Sequence, residues 1–223
     1  MQMLSFTKYG VGRGLAGRVC ILGWGRQGLV ASLLTGAVLA SVPAAHAAMV
    51  KVEGVVVEPV ATVAGNRLVL NGAALRKRGY FKANVVALYL PERLTVPDSV
   101  YRASGAKRIQ LHVLRDFTSS TISRMFISDF QKTATEAEFK QLIDTVAEIG
   151  SIYAEVKRVA PGDVVNIDWV PGKGIVTTFN DRPLGTRPIP SELAYQIFLR
   201  MFIGPDASAD LRNGLLGLTR QTE

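Results

Sequence analysis

The sequence predicts an α+β fold in which helices cover one face of an antiparallel sheet. Three observations lead there. The elements come in groups (four strands, two helices, two strands, two helices) rather than in βα alternation, which disfavours a parallel sheet. The strand-like runs are separated by short turn sequences such as Pro171-Gly172-Lys173-Gly174. The helix-like runs each carry a single apolar stripe, as a layer lying on a sheet requires.

Residues 52–58 and 67–70 read as short strands around the turn Ala64-Gly65-Asn66. Residues 80–90 form a longer strand. Phe81, Ala83, Val85, Ala87 and Tyr89 make one apolar face directed at the core, and Lys82 and Asn84 share the other, a solvated face or a pocket. Residues 107–114 are a further strand, ended by Arg115-Asp116. In residues 119–133, Ile122, Met125, Phe126 and Phe130 recur at helical spacing. Thr135 and Glu138 are placed as a capping box opening a second helix, whose Phe139, Leu142, Ile143, Val146 and Ile149 carry the stripe to Gly150. Residues 164–170 and 174–179 form a hairpin in which Val165, Ile167 and Trp169 alternate with Asn166 and Asp168, a half-buried pattern. A turn is expected at residues 180–183. Ser191 caps an apolar helix closed by Gly204-Pro205, and residues 207–216 form a last helix closed by Gly217.

The chain has 223 residues and a formal charge of +8, unevenly distributed. Residues 1–47 hold Lys8, Arg13, Arg18 and Arg26, no acid, and the only cysteine, Cys20. Taking those four from 26 cations leaves 22 against 18 acids, or +4, for residues 48–223. An apolar run over residues 28–42 followed by Ala45-His46-Ala47 has the form of a secretory signal cleaved after Ala47, the rival reading being an uncleaved anchor. The expectation is a domain of residues 48–223, periplasmic or secreted, without thiol chemistry and without a membrane span once the signal is removed. Cysteine-based zinc sites and disulfides are excluded there.

Chemistry-bearing patterns are sparse. His112, flanked by Leu111 and Val113, is the only histidine after residue 47, so no multi-histidine metal site is available. No nucleophile elbow or phosphate-cradling loop is present, and no metal or other cofactor is expected. The basic run Arg76-Lys77-Arg78 lacks interleaved aromatics, which argues against nucleic acid and for a solvated turn. Arg76 alone directly follows an apolar stretch, so its guanidinium is a candidate for the mouth of a pocket, where it would bind an anion.

The stretches Leu70-Asn71-Gly72-Ala73-Ala74-Leu75-Arg76 and Tyr80-Phe81-Lys82-Ala83-Asn84, continuing to Leu88-Tyr89-Leu90, resemble the opening of the chalcone isomerase family, especially bacterial exported chalcone isomerase-like proteins. The closing run from Ile197 to Pro205 with Leu211-Arg212-Asn213-Gly214 resembles that family's last helix pair, and Trp169-Val170-Pro171-Gly172 resembles its bacterial members. The resemblance implies an open-faced β-sandwich with a ligand cleft between sheet and helices.

By the same resemblance, Arg76 matches the family arginine and Asn84 stands where active enzymes have a threonine. The catalytic tyrosine should fall near residues 119–121, and a helical asparagine near Ile127 and Ser128, but neither residue type is there. Met201 replaces a hydroxyl donor. This departure argues against chalcone turnover and for a fatty-acid-binding type of member. Its anchor would be Arg76 with Asn84 or Lys82, and its apolar walls would include Ile197, Met201 and Phe202. An isomerase (intramolecular lyase) with another enone substrate, using Asp116 or Tyr80, is the alternative. A structural or partner-binding envelope protein with a filled cleft is a second.

Overall fold

The computed structural model describes residues 49–219, and the expected export signal lies outside them. Seven antiparallel strands form the main sheet in the order β11-β10-β9-β6-β5-β4-β3. In chain order these are β3 (Val60–Val63), β4 (Asn66–Arg78), β5 (Phe81–Leu90), β6 (Lys107–Val113), β9 (Val164–Val170), β10 (Gly174–Phe179) and β11 (Arg182–Ile189). A hairpin of β1 (Val50–Val52) and β2 (Val55–Val57) precedes them, and β7 (Phe117–Thr118) pairs with β8 (Arg158–Val159). The helices are α1 (Pro97–Arg102), α2 (Ser119–Thr133), α3 (Glu136–Gln141), α4 (Ile143–Ala154), α5 (Glu192–Ile203) and α6 (Ala209–Leu215).

The main core lies between the sheet and the helices. Ala74, Val86, Leu88, Ile109 and Ile167 face α2, α4 and α5, which contribute Phe126, Phe130, Ile149 and Phe198. Phe126 is central, stacked on Phe198 at 5.5 Å and edge-on to Tyr153 at 5.2 Å, geometries that favour aromatic pairs beyond their buried area. A smaller core on the reverse face joins Val85, Ala87 and Tyr89 to Val57. From Val85 onward, therefore, both faces of β5 are buried, and the face read from sequence as solvated or pocket-lining is the one under the helices.

Two bulges set the register of β4 and β5. Leu70 pairs with Tyr89 and Gly72 with Leu88, so Asn71 is an extra residue on β4. Its side chain leaves the ladder and bonds elsewhere. Nδ2 donates to the carbonyls of Leu94 (2.9 Å) and Leu215 (2.7 Å), and Oδ1 accepts from the Leu94 N–H (2.7 Å). The neighbouring Gly72 lets α6 rest directly on the strand, since a Cβ there would lie 2.1 Å from the Gly214 carbonyl oxygen. The second bulge places Ala83 as the extra residue of β5, because Arg76 pairs with Asn84 and Lys77 with Lys82.

Several expectations are corrected. The run 52–58 is split by a turn at Glu53-Gly54, both with positive φ. Arg76-Lys77-Arg78 is no turn but the end of a 13-residue strand, with the turn displaced to Gly79-Tyr80. The second helix breaks at Leu142 and continues past Gly150 to Ala154. Beyond the turn expected at 180–183 the sequence suggested no further strand, yet residues 182–189 form edge strand β11. Asn166 and Asp168 are buried rather than solvated, because each meets a polar partner across the ladder. Arg108 donates twice to Asp168 at 2.7 Å, and Gln110 Nε2 donates to Asn166 Oδ1 at 2.9 Å.

Candidate functional site

A cavity of about 130 Å³ lies between the sheet and the helical layer. That is several times the ~30 Å³ occupied by one water in the liquid. Strands supply Ala83, Asn84, Leu111, Val113, Val165 and Ile167; α2 supplies Ile122, Met125 and Phe126; α5 supplies Phe198, Met201 and Phe202. Its surface is mainly apolar. The polar side chains are gathered in Arg76, Arg78 and Asp129, with Asn84 and Tyr153.

Arg76 and Arg78 have the same parity on β4, so both side chains project to the helix face, where α2 presents Asp129. Arg76 Nη2 donates to Asp129 Oδ2 at 2.7 Å. Arg78 grips the same carboxylate with both terminal nitrogens, Nη1 meeting Oδ1 at 2.8 Å and Nη2 meeting Oδ2. Two guanidinium groups thus share one carboxylate, leaving one positive charge uncompensated. The fork of Arg78 is occupied by Asp129, whereas Arg76 uses one of its five N–H donors in this contact and has no other protein acceptor among the described residues. The Arg76 guanidinium lies over the Phe202 ring, 4.6 Å from its centroid, a cation–π contact that orients it without consuming donors. Burial lowers its pKa to about 10, still well above neutrality. Arg78 is likewise lowered to about 10, by burial and by the charge of Arg76.

Asn84 stands opposite Arg76 in register. Its Oδ1 is buried without a hydrogen-bond partner, and its Nδ2 has no partner among the described residues. Tyr153 projects from α4 into the same cavity, and burial raises its pKa, so the phenol is a neutral donor. Its hydroxyl also has no protein partner among the described residues.

Of the anchors expected from sequence, Arg76 and Asn84 line the cavity and Lys82 does not. The bulge at Ala83 inverts the side-chain alternation below Asn84, sending Lys82 to the opposite face, where its exposed ammonium pairs with Glu53. Of the expected walls, Met201 and Phe202 line the cavity, whereas Ile197 is fully buried in the packed core and Phe198 takes its place. The alternative acid–base candidates lie elsewhere: Asp116 pairs with Arg158 at the surface, and Tyr80 is fully exposed in its turn. His112 Nε2 is 2.8 Å from Gln110 Oε1 in the ladder of β6.

Sequence reasoning missed Asp129, Arg78 and Tyr153. Asp129 continues the spacing of Ile122 and Met125 as i+7 and i+4, so it was readable as an acid inside an apolar stripe. Tyr153 follows Ile149 by four residues on a helix that does not end at Gly150.

Residues 48–217 match the family described as chalcone isomerase-like. The chain belongs to the chalcone isomerase-like family. Among solved structures, a fatty-acid binding protein from Arabidopsis thaliana is similar to the chain, with a TM-score of 0.61 and 12% sequence identity, over 73% of this chain and 92% of that one. At that identity the likeness establishes the fold: a curled antiparallel sheet with helices on one face. No curated protein matches the sequence. No helix among the described residues is long and apolar enough to cross a membrane.

Proposed function

We propose that the chain binds a small amphipathic carboxylate such as a fatty acid in this cavity, without turning it over. One observation carries the reading: an apolar cavity walled at one point by an arginine whose donors are mostly unused and whose charge is not fully neutralised. A carboxylate meeting Arg76 would gain a charge-assisted bond of about 1.5–3 kcal/mol, and each methylene buried among the apolar walls about 0.8 kcal/mol more. The fatty-acid-binding neighbour with the same fold supports the choice of ligand class. Export directed by residues 1–47 belongs to the same proposal, and N-terminal sequencing of protein recovered from its compartment tests it.

The binding test is displacement of a fluorescent fatty acid by dodecanoate, with Arg76→Met beside the parent and circular dichroism to verify folding. A loss of about ten- to a hundredfold in affinity is expected, corresponding to one charge-assisted contact. A folded Arg76→Met protein that binds dodecanoate as tightly as the parent sinks the proposal.

One observation favours an isomerase instead: the free Tyr153 hydroxyl in a cavity that also holds Arg76, a donor and a cation of the kind that stabilise a developing enolate. Decay of enone absorbance with a chalcone panel, abolished in Tyr153→Phe, would favour that reading.

A further inference from the structure

The side-chain oxygen of Asn84 is a buried acceptor at the cavity that a simple fatty acid leaves unanswered. That Oδ1 is buried without a partner, and an acceptor so placed is costly unless something donates to it. A carboxylate cannot. Beside Arg76 the acid is held ionised, so it offers only acceptor oxygens, which suit N–H donors such as the guanidinium but not Asn84 Oδ1. The apolar chain that follows the carboxylate has no donor either. Cross-strand neighbours have Cβ atoms about 4.5–5.5 Å apart, so a group bonded to Asn84 belongs to the same end of the ligand as the carboxylate held by Arg76.

We infer that the preferred ligand is an acyl acid carrying a hydrogen-bond donor, a hydroxyl or an amide N–H, close to its carboxylate. A hydroxyl donates to Asn84 Oδ1 while its own oxygen accepts from Nδ2; an amide N–H, whose trans carbonyl points the other way, answers Oδ1 alone. The inference rests on the binding role proposed above and narrows it from fatty acids in general to hydroxy-acyl or N-acyl amino acids.

Displacement of a fluorescent fatty acid by four competitors of similar length tests it. They are dodecanoate, dodecanoate with a hydroxyl on its third carbon, dodecanoate with a hydroxyl on its terminal carbon, and decanoylglycine. The expected result is that the third-carbon hydroxy acid or decanoylglycine binds about tenfold more tightly than dodecanoate, the gain from filling one buried unsatisfied acceptor, with no such gain for the terminal hydroxyl. Which of the two wins separates the hydroxyl source from the amide source. In Asn84→Leu the preference should fall to near unity, and Asn84→Ser, which puts a hydroxyl acceptor in place of the amide, should retain part of it. Because the readout is a ratio within one protein, a modest loss of stability does not blur it. Equal binding of all four competitors to the parent overturns this inference and leaves the fatty-acid reading standing. Failure of all four to displace the probe overturns both.

Discussion

Replacing Asp129 by Asn should tighten fatty-acid binding while weakening the fold. Arg76 and Arg78 share Asp129 as their counter-ion, and its side chain is only 18% exposed. A ligand carboxylate arriving at Arg76 comes within roughly 5 Å of it, and two like charges at that distance repel by about 3 kcal/mol at an effective dielectric of 20. Allowing half of that for solvent and for rearrangement, Asp129→Asn should lower Kd by about tenfold. The same change strips two partly buried guanidinium groups of their counter-charge. Asn keeps one oxygen for Arg78, so the loss of stability should be about 2 kcal/mol rather than the full cost of an orphaned buried charge. Ligand then compensates, since saturation at a hundred times Kd returns about 2.7 kcal/mol. Titration calorimetry with dodecanoate and thermal melting with and without ligand measure both effects. Weaker binding by a folded Asp129→Asn protein would refute the reasoning, because it would mean that Asp129 attracts the ligand rather than competing with it.

Burial lowers the Arg76 pKa to about 10 and the Asp129 carboxylate beside it favours the charged form, so carboxylate affinity should be flat from about pH 6 to about pH 9, measurable by probe displacement across that range. Burial also depresses His112, favouring its neutral form in the folded state. Its contribution to stability should be present above the unfolded value of about 6.5 and be lost as pH falls through the depressed folded value, a slope in urea midpoint that His112→Gln should reduce. Gly72→Ala should cost about 3 kcal/mol or more, because the new methyl would collide with the Gly214 backbone; a urea midpoint close to the parent's would contradict the packing described. Asn71→Ala removes three hydrogen bonds that join β4 to the Leu94 loop and α6, and should destabilise by about 2–4 kcal/mol in the same assay.

The elements with strong periodicity were readable. The stripe of α2, the Thr135–Glu138 capping box and the Pro171–Gly174 hairpin each follow from interactions a few residues apart. The unreadable part is non-local. Whether Asn166 and Asp168 are solvated depends on Arg108 and Gln110, more than fifty residues away, which the ladder brings opposite them. Lys82 and Asn84 share a face only if β5 has no bulge, and the bulge at Ala83 depends on pairing with β4. Arg76 stood out because it follows an apolar stretch, but its partnership with Arg78 across Asp129 requires α2 to lie over the end of β4, a packing fact with no local trace.

The contact of α6 with β4 has a mechanical consequence. Gly72 and Gly214 bring backbone against backbone, with no side chains between them to compress or slide. That seam is a rivet at one side of the helical layer. Around the cavity, α2 and α4 present Ile122, Met125, Phe126 and Tyr153, side chains that can change rotamer. If the cavity swells to admit an acyl chain, the strain should be taken up by these two helices while α6 stays seated. Hydrogen exchange should then accelerate first in α2 and α4 and last in the strand beneath the rivet.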